Sequence, residues 1–288
     1  MKTILSGQSV AKLLGAAVVA LGLAGSVQAA EEAAAAHGPV VDRQSWTFAG
    51  PFGKFDKAQL QRGYKVYKEV CSACHSMKYV SFRNLAEEGG PGFTADQAKA
   101  LASGYKVQDG PNDSGDMFER AGRLSDRFPS PFPNEQAARA ANGGAYPPDM
   151  SLLAKARAVH RGFPWFVFDA FTQYQEYGPD YIYSLLLGYK DAPKGHECGP
   201  GLNYNTSFIS GSCIAMPQPI SDGQVTYDDG TPGTLQNYAR DVSAFLMWTA
   251  EPKLEERKRV GLKVMLFLVV FAGLLYYTKQ KVWKDIAH

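Results

Sequence analysis

Two stretches of the chain carry apolar residues at helical spacing. Between Lys57 and Val70, the residues Leu60, Tyr64, Tyr67 and Val70 fall on one face and predict an amphipathic helix. Between Leu235 and Ala250, Tyr238, Val242, Phe245, Leu246 and Trp248 give a second helix a broad apolar face. This one is expected to stop at Glu251-Pro252, because proline denies the helical conformation to the residue before it. Gly63 inside the first helix costs about 1 kcal/mol against alanine, which predicts close approach by another helix, and Leu235–Ala250 is the best candidate. The intervening chain is punctuated by Gly89-Gly90-Pro91, Asp109-Gly110-Pro111, Pro129-Ser130-Pro131-Phe132-Pro133 and Gly143-Gly144, a pattern of short helices and turns rather than sheets. One such helix is predicted over Met150–His160, with Asp149 as its N-cap. Gly162 to Gln175 is densely aromatic.

Two apolar runs have no such periodicity. Leu13 to Leu23 is short, follows Lys2 and Lys12, and precedes the small-residue site Val27-Gln28-Ala29. Residues 1–29 are therefore expected to be a cleaved export signal, with an alanine-rich, acidic lead-in after it. Val260 to Thr278 has the length of a single transmembrane helix. Lys263 lies one turn inside and can snorkel, while Tyr276 and Tyr277 suit the opposite interface. The expected organisation is an exported domain over 30–250, a charged juxtamembrane linker over 251–259, the span over 260–278 and a cytoplasmic tail over 279–288. Lys253, Arg257, Lys258 and Arg259 precede the span and only Lys279, Lys281 and Lys284 follow it, a count that runs mildly against this orientation. The exported domain decides it: body on the periplasmic side of a bacterial-type inner membrane.

Charge sharpens the picture. The whole chain carries a formal +2, but residues 30–250 hold 20 Lys and Arg against 24 Asp and Glu, a net of −4. A mildly acidic exported face suits a basic soluble partner and gives no support to nucleic-acid binding.

The chemistry lies in Cys71-Ser72-Ala73-Cys74-His75. Two thiols three residues apart can both reach the vinyl groups of one porphyrin, and the histidine that follows falls under the iron. This pattern predicts one covalently bound haem c, attached through Cys71 and Cys74, with His75 as an axial ligand. A zinc site would need two more suitably spaced ligands, and Cys198 and Cys213 do not form a second C-x-x-C. A six-coordinate iron shuttles electrons, whereas an open one binds small molecules, so the second axial ligand matters. Met77 is too close to His75, Met247 belongs to a helix and Met265 to the span. Met117, Met150 and Met216 remain, with His160 and His196 as rivals. Met216 stands in Ile214-Ala215-Met216-Pro217-Gln218-Pro219-Ile220, where two prolines stiffen the loop. Cys198 and Cys213, the only other thiols in an oxidising compartment, are expected to form a disulfide. It closes a loop of about 16 residues, worth about 3 kcal/mol in the chain-entropy model. The aromatic stretch 162–175 either covers the haem edge or is an insertion that docks on a neighbour.

With these pieces the mature chain resembles the cytochrome c1 family, the haem subunits of bc1 (quinol:cytochrome c reductase) complexes. The resemblance rests on CSACHSMKYVSFRNL (71–85), AARAANGGAYPPDMSLLAKAR (137–157), YGPDYIYSLLLGY (177–189), AMPQPI (215–220), YDDGTP (227–232) and DVSAFLMWTAEPKLEERKRVGLK (241–263). It implies a mostly α, class I cytochrome c-like domain with long loop insertions and one membrane anchor. It implies Met216 as the distal ligand, Arg157 paired with a haem propionate, Tyr181 beside the haem and Asn142 nearby. The implied role is to pass single electrons from the Rieske iron–sulfur protein to a soluble cytochrome c, alongside cytochrome b, without catalysis by this subunit alone. Another membrane-anchored monohaem carrier, feeding a terminal oxidase or a periplasmic reductase, is the competing reading. A haem enzyme with an exchangeable sixth site is a third.

Overall fold

The helices Lys57–Glu69 and Leu235–Ala250 cross where the sequence places a glycine. In the computed structural model, which describes residues 39–159, 162–172 and 174–284, a Cβ added to Gly63 would stand 2.1 Å from the carbonyl oxygen of Asp241 and 2.7 Å from Cβ of Phe245. The backbones approach so closely that only hydrogen fits. Asp56 caps the first helix by accepting from the Gln59 amide, and Thr234 caps the second by accepting from Asn237. Beside the crossing, Arg62 donates to Asp241 (2.8 Å) and to Asp229 (2.8 Å), while Lys65 reaches Asp228 (2.8 Å). The Tyr227–Pro232 segment is thus clamped across the helix pair.

In chain order the elements are α1 (Lys57–Glu69), α2 (Ala95–Ser103), β1 (Lys106–Asp109), β2 (Phe118–Ala121), α3 (Glu135–Ala141), α4 (Leu153–Ala156), α5 (Trp165–Thr172), α6 (Tyr177–Leu187), β3 (Asn203–Tyr204), β4 (Cys213–Ile214), α7 (Leu235–Ala250) and α8 (Leu254–Val282). The architecture is mostly helical, as the periodicity predicts. Both sheets are antiparallel pairs, β1 with β2 and β3 with β4. Helices α1, α6 and α7 enclose a core rich in rings: Tyr64 and Tyr67 pack edge-on against Phe128, and Phe82 lies 4.3 Å from Phe128 between centroids. Met77 and Met247 are fully buried in this core. A second close approach occurs at Gly178, where a Cβ would collide with the carbonyl of Ala154 and drive α6 off α4.

The helix expected over Met150–His160 is corrected to the single turn α4. Asp149 is not its N-cap, since that position is Leu152 and makes no side-chain cap. The Asp149 carboxylate is engaged elsewhere, as described below. Residues 1–38, which include the expected export signal, lie outside the described residues, as does His160.

After α7 the chain breaks at Glu251-Pro252 and turns into α8. This helix has 29 residues, about 44 Å at the α-helical rise, and its apolar window is not buried against the rest of the protein. The charged run expected as a linker is helical from Leu254 on and serves as a joint. Leu254 is buried, Glu255 accepts from the Phe55 amide (3.0 Å), and Lys258 donates to the Phe48 carbonyl (2.6 Å). Glu251 receives both Lys155 and Arg257.

Candidate haem site

Helix α1 ends at Glu69 and the chain tightens into a 3-10 turn over Cys71–Ala73. The amides of Cys74 and His75 both donate to the Cys71 carbonyl, at 3.2 and 2.9 Å. The two thiols are free, Cys74 exposed and Cys71 half-buried. Burial, with Cys74 close by, pushes the Cys71 thiol up to about 12, so it is protonated at neutral pH.

His75 is buried, and its Nδ1 lies 2.8 Å from the carbonyl oxygen of Pro148. A carbonyl only accepts, so Nδ1 carries the proton and the Nε2 lone pair is left to a metal. Burial lowers the His75 pKa, against the opposing pull of the Pro148 carbonyl and of Asp149. The ring is therefore neutral at neutral pH, the form that ligates iron.

The Pro148 strap is zipped to the motif. Asp149 accepts from the Ser76 hydroxyl (2.7 Å) and the Lys78 amide (2.9 Å) with one oxygen, and from the Ser151 amide (2.9 Å) with the other. The Ser151 hydroxyl in turn accepts from the Tyr79 amide, and the Met150 amide donates to the Ser76 carbonyl. The sequence reading missed Pro148, Ser76 and Ser151 in these roles. Any C-x-x-C-H motif calls for a backbone acceptor behind its histidine, but nothing in the pattern says which carbonyl supplies it.

Of the three methionines open as distal ligands, Met117 is exposed on the β1–β2 hairpin and Met150 is buried in the core. Met216 is half-buried, two residues past β4. Its carbonyl accepts from the Tyr189 hydroxyl (3.0 Å) and from Nδ2 of Asn203 (3.4 Å), two further residues that the sequence did not single out. Strand β4 pairs with β3, Tyr204 opposite Cys213, and a disulfide joins Cys213 to Cys198. His196 is occupied there, with Nε2 2.9 Å from the Ser212 hydroxyl and 3.5 Å from the Cys213 sulfur. His196, Cys198 and Cys213 lie close enough for a metal, but the disulfide consumes both sulfurs.

Arg157 stands exposed at the end of α4, and burial raises the pKa of the Tyr181 hydroxyl against the opposing pull of the Ile209 amide and the Arg157 charge. Tyr181 accepts from the Ile209 amide (3.4 Å). Asn142 caps the end of α3, where its amide donates to the Ala138 carbonyl (2.7 Å). A groove beside Cys74 is lined by Ser76, Phe132, Ala138, Tyr146 and Pro147. Two free thiols, a neutral imidazole offering Nε2 and an exposed guanidinium fit a covalently attached haem with a partly solvated edge.

Residues 46–286 match the profile of the Cytochrome C1 family. The chain is 63% identical over 241 residues to cytochrome b/c1 of Bradyrhizobium diazoefficiens, an alignment covering 83% of this chain and 35% of that protein. The match therefore spans about a third of that relative's length. Cytochrome c1 of Blastochloris viridis is 49% identical over 263 residues, 91% of this chain and 93% of the relative. Cytochrome c1, heme protein, mitochondrial, of Saccharomyces cerevisiae is 44% identical over 264 residues, covering 91% and 78%.

Proposed function

The chain belongs to the Cytochrome C1 family, and from that premise we propose that it relays single electrons from a Rieske iron–sulfur protein to a soluble cytochrome c. Family membership makes it a membrane-anchored haem subunit of a bc1 complex, carrying one covalent haem c. The finer assignments are ours. Cys71 and Cys74 bind the porphyrin covalently, His75 and Met216 hold the iron, Arg157 pairs with a propionate, and Tyr181 and Asn142 stand near the haem. Cytochrome b and the Rieske protein are its partners in the complex, and the haem domain faces the periplasm. No catalytic residue is assigned to this subunit.

The observation that carries the reading is the His75–Pro148 hydrogen bond. It holds the imidazole as one tautomer and leaves the Nε2 lone pair to the iron His75 would hold, which an electron carrier needs in both oxidation states. When bound, the haem supplies a one-electron redox couple whose potential the axial ligands set. The chain does the rest. The 3-10 turn places the two thiols, Pro148 keeps the proton on Nδ1, and Tyr189 and Asn203 hold the backbone of Met216. Arg157 lies where it can offset a propionate charge.

Purification after mild detergent extraction tests the assignment. Cytochrome b and a Rieske protein are expected in the same complex, and the reduced haem is expected not to bind carbon monoxide. Isolation without those partners would support the generic anchored carrier, and carbon monoxide binding would support an open iron.

A further inference from the structure

The aromatic segment 162–175 contains a helix built inside out. Within α5 (WFVFDAFT) the only charged residue, Asp169, is 3% exposed and turned inward, where its carboxylate meets Arg43 (3.7 Å) and the Tyr177 hydroxyl (2.6 Å). The rings point the other way: Phe171 is 84% exposed and Phe163 80%, with Trp165, Phe166 and Phe168 each more than half exposed. A helix facing water would show its charge and hide its rings. So dense an aromatic patch on a folded domain marks a surface that meets something apolar.

The location of the segment says what that is. The chain flanking it on both sides reaches the root of the membrane anchor. On one side Lys155 reaches Glu251, the residue between α7 and α8, at 2.6 Å. On the other, buried Glu176 feels the positive charge of Lys258, two residues before the apolar span begins. Lys258 donates to the carbonyl of Phe48, which stacks on Trp46, whose indole donates to Asp180. Asp180 also receives the Tyr174 hydroxyl, and Arg43 lies 3.7 Å over the Tyr174 ring. One connected cluster thus joins α5 to the first turns of α8.

We propose that α5 is an interfacial helix that seats its aromatic face in the lipid headgroup and upper acyl region beside the anchor. Trp and Phe are the side chains that favour this zone, and a short helix without outward charge can lie in its plane. The inward Asp169–Arg43 pair keeps the charge out of the lipid. The contact gives the haem domain a second point of attachment, set apart from the anchor itself. It rests on the chain being membrane-anchored and not on the proposed electron route.

Photo-crosslinking in the intact complex tests this. With p-benzoylphenylalanine at position 171, and separately at 163, the haem-loaded complex in native membrane vesicles is irradiated and the adducts are weighed by mass spectrometry. Both positions are already exposed, and the haem spectrum reports folding of each variant. Phospholipid adducts at both positions are expected. Adducts to another protein chain would show that a subunit covers α5, and recovery of the probe without any adduct at both positions would show a solvated helix. Either result overturns the proposal. Failure to co-purify with a Rieske protein would overturn the functional reading and leave this result unaffected.

Discussion

The Met216 carbonyl has two donors, and the stronger geometry belongs to Tyr189. Removing that hydroxyl in Tyr189→Phe costs about 1 kcal/mol, about a fivefold rise in the fraction of molecules with the thioether off the iron. Loss of the methionine–iron absorption band should then begin at lower temperature, with the pyridine haemochrome spectrum unchanged. Met216→Leu should go further. The potential should fall by about a few tenths of a volt, within the ~0.8 V range that axial ligation spans, and the reduced protein should bind carbon monoxide. If Met117 or Met150 is the ligand instead, neither change follows. At this scale the sequence is legible where chemistry demands particular atoms at a fixed spacing, as in Cys71, Cys74 and His75. The carbonyls of Pro148 and Met216 were not legible, because every residue has a carbonyl and only the fold decides which one meets a ring nitrogen or a hydroxyl.

Helices α1 and α7 were readable to within a residue because each buries one stripe and carries its own cap, Asp56 and Thr234. Gly63 was readable too, since a helix tolerates mid-span glycine only for a reason. Gly63→Ala must push the Asp241 backbone away, and overpacking of this kind costs about 1–3 kcal/mol. Thermal unfolding of the haem-loaded protein measures it, and an unchanged midpoint would mean the helices part without cost. The predicted helix over Met150–His160 failed because Asp149 bonds Ser76 and Lys78 across the fold, an override that local capping preference cannot reveal. The aromatic segment was ambiguous for another reason: periodicity finds a face but not whether that face looks inward or outward. Around Met216, the strand pair β3–β4 is closed by the disulfide. Cys198→Ala with Cys213→Ala should lower stability by about 3 kcal/mol. A lowered potential in the same variant would show that the bridge also steadies the ligand loop, and an unchanged one would confine it to stability.

At the scale of the molecule, the domain and its anchor are fused rather than tethered. A soluble fragment ending after residue 262 should be more stable than one ending at 250 by about 2 kcal/mol, because only the longer one buries Leu254. The carboxyl of Glu176 at this joint has a raised pKa, chiefly from burial, with Lys258 and the Gln175 amide opposing. A carboxyl raised in the folded state favours folding most below its unfolded pKa, near 4. That favour is lost as pH rises through the folded pKa. Glu176→Gln should therefore raise the unfolding temperature at pH 7 more than at pH 4, and a constant difference would show that the group does not titrate there.

The break at Glu251-Pro252 looks like a hinge by sequence, yet Leu254, Glu255 and Lys258 fasten the far side of it to the domain. A swing of roughly 10° there would move a point about 17 Å away, the radius of gyration expected for a domain of this size, by about 3 Å. Electron tunnelling falls exponentially with the gap between centres, so such wobble would make every encounter run at a different speed. On the proposed electron route, a bolted joint removes that variance and makes this protein a stationary relay. Any travel needed to close the gap then falls to the redox partners proposed for it.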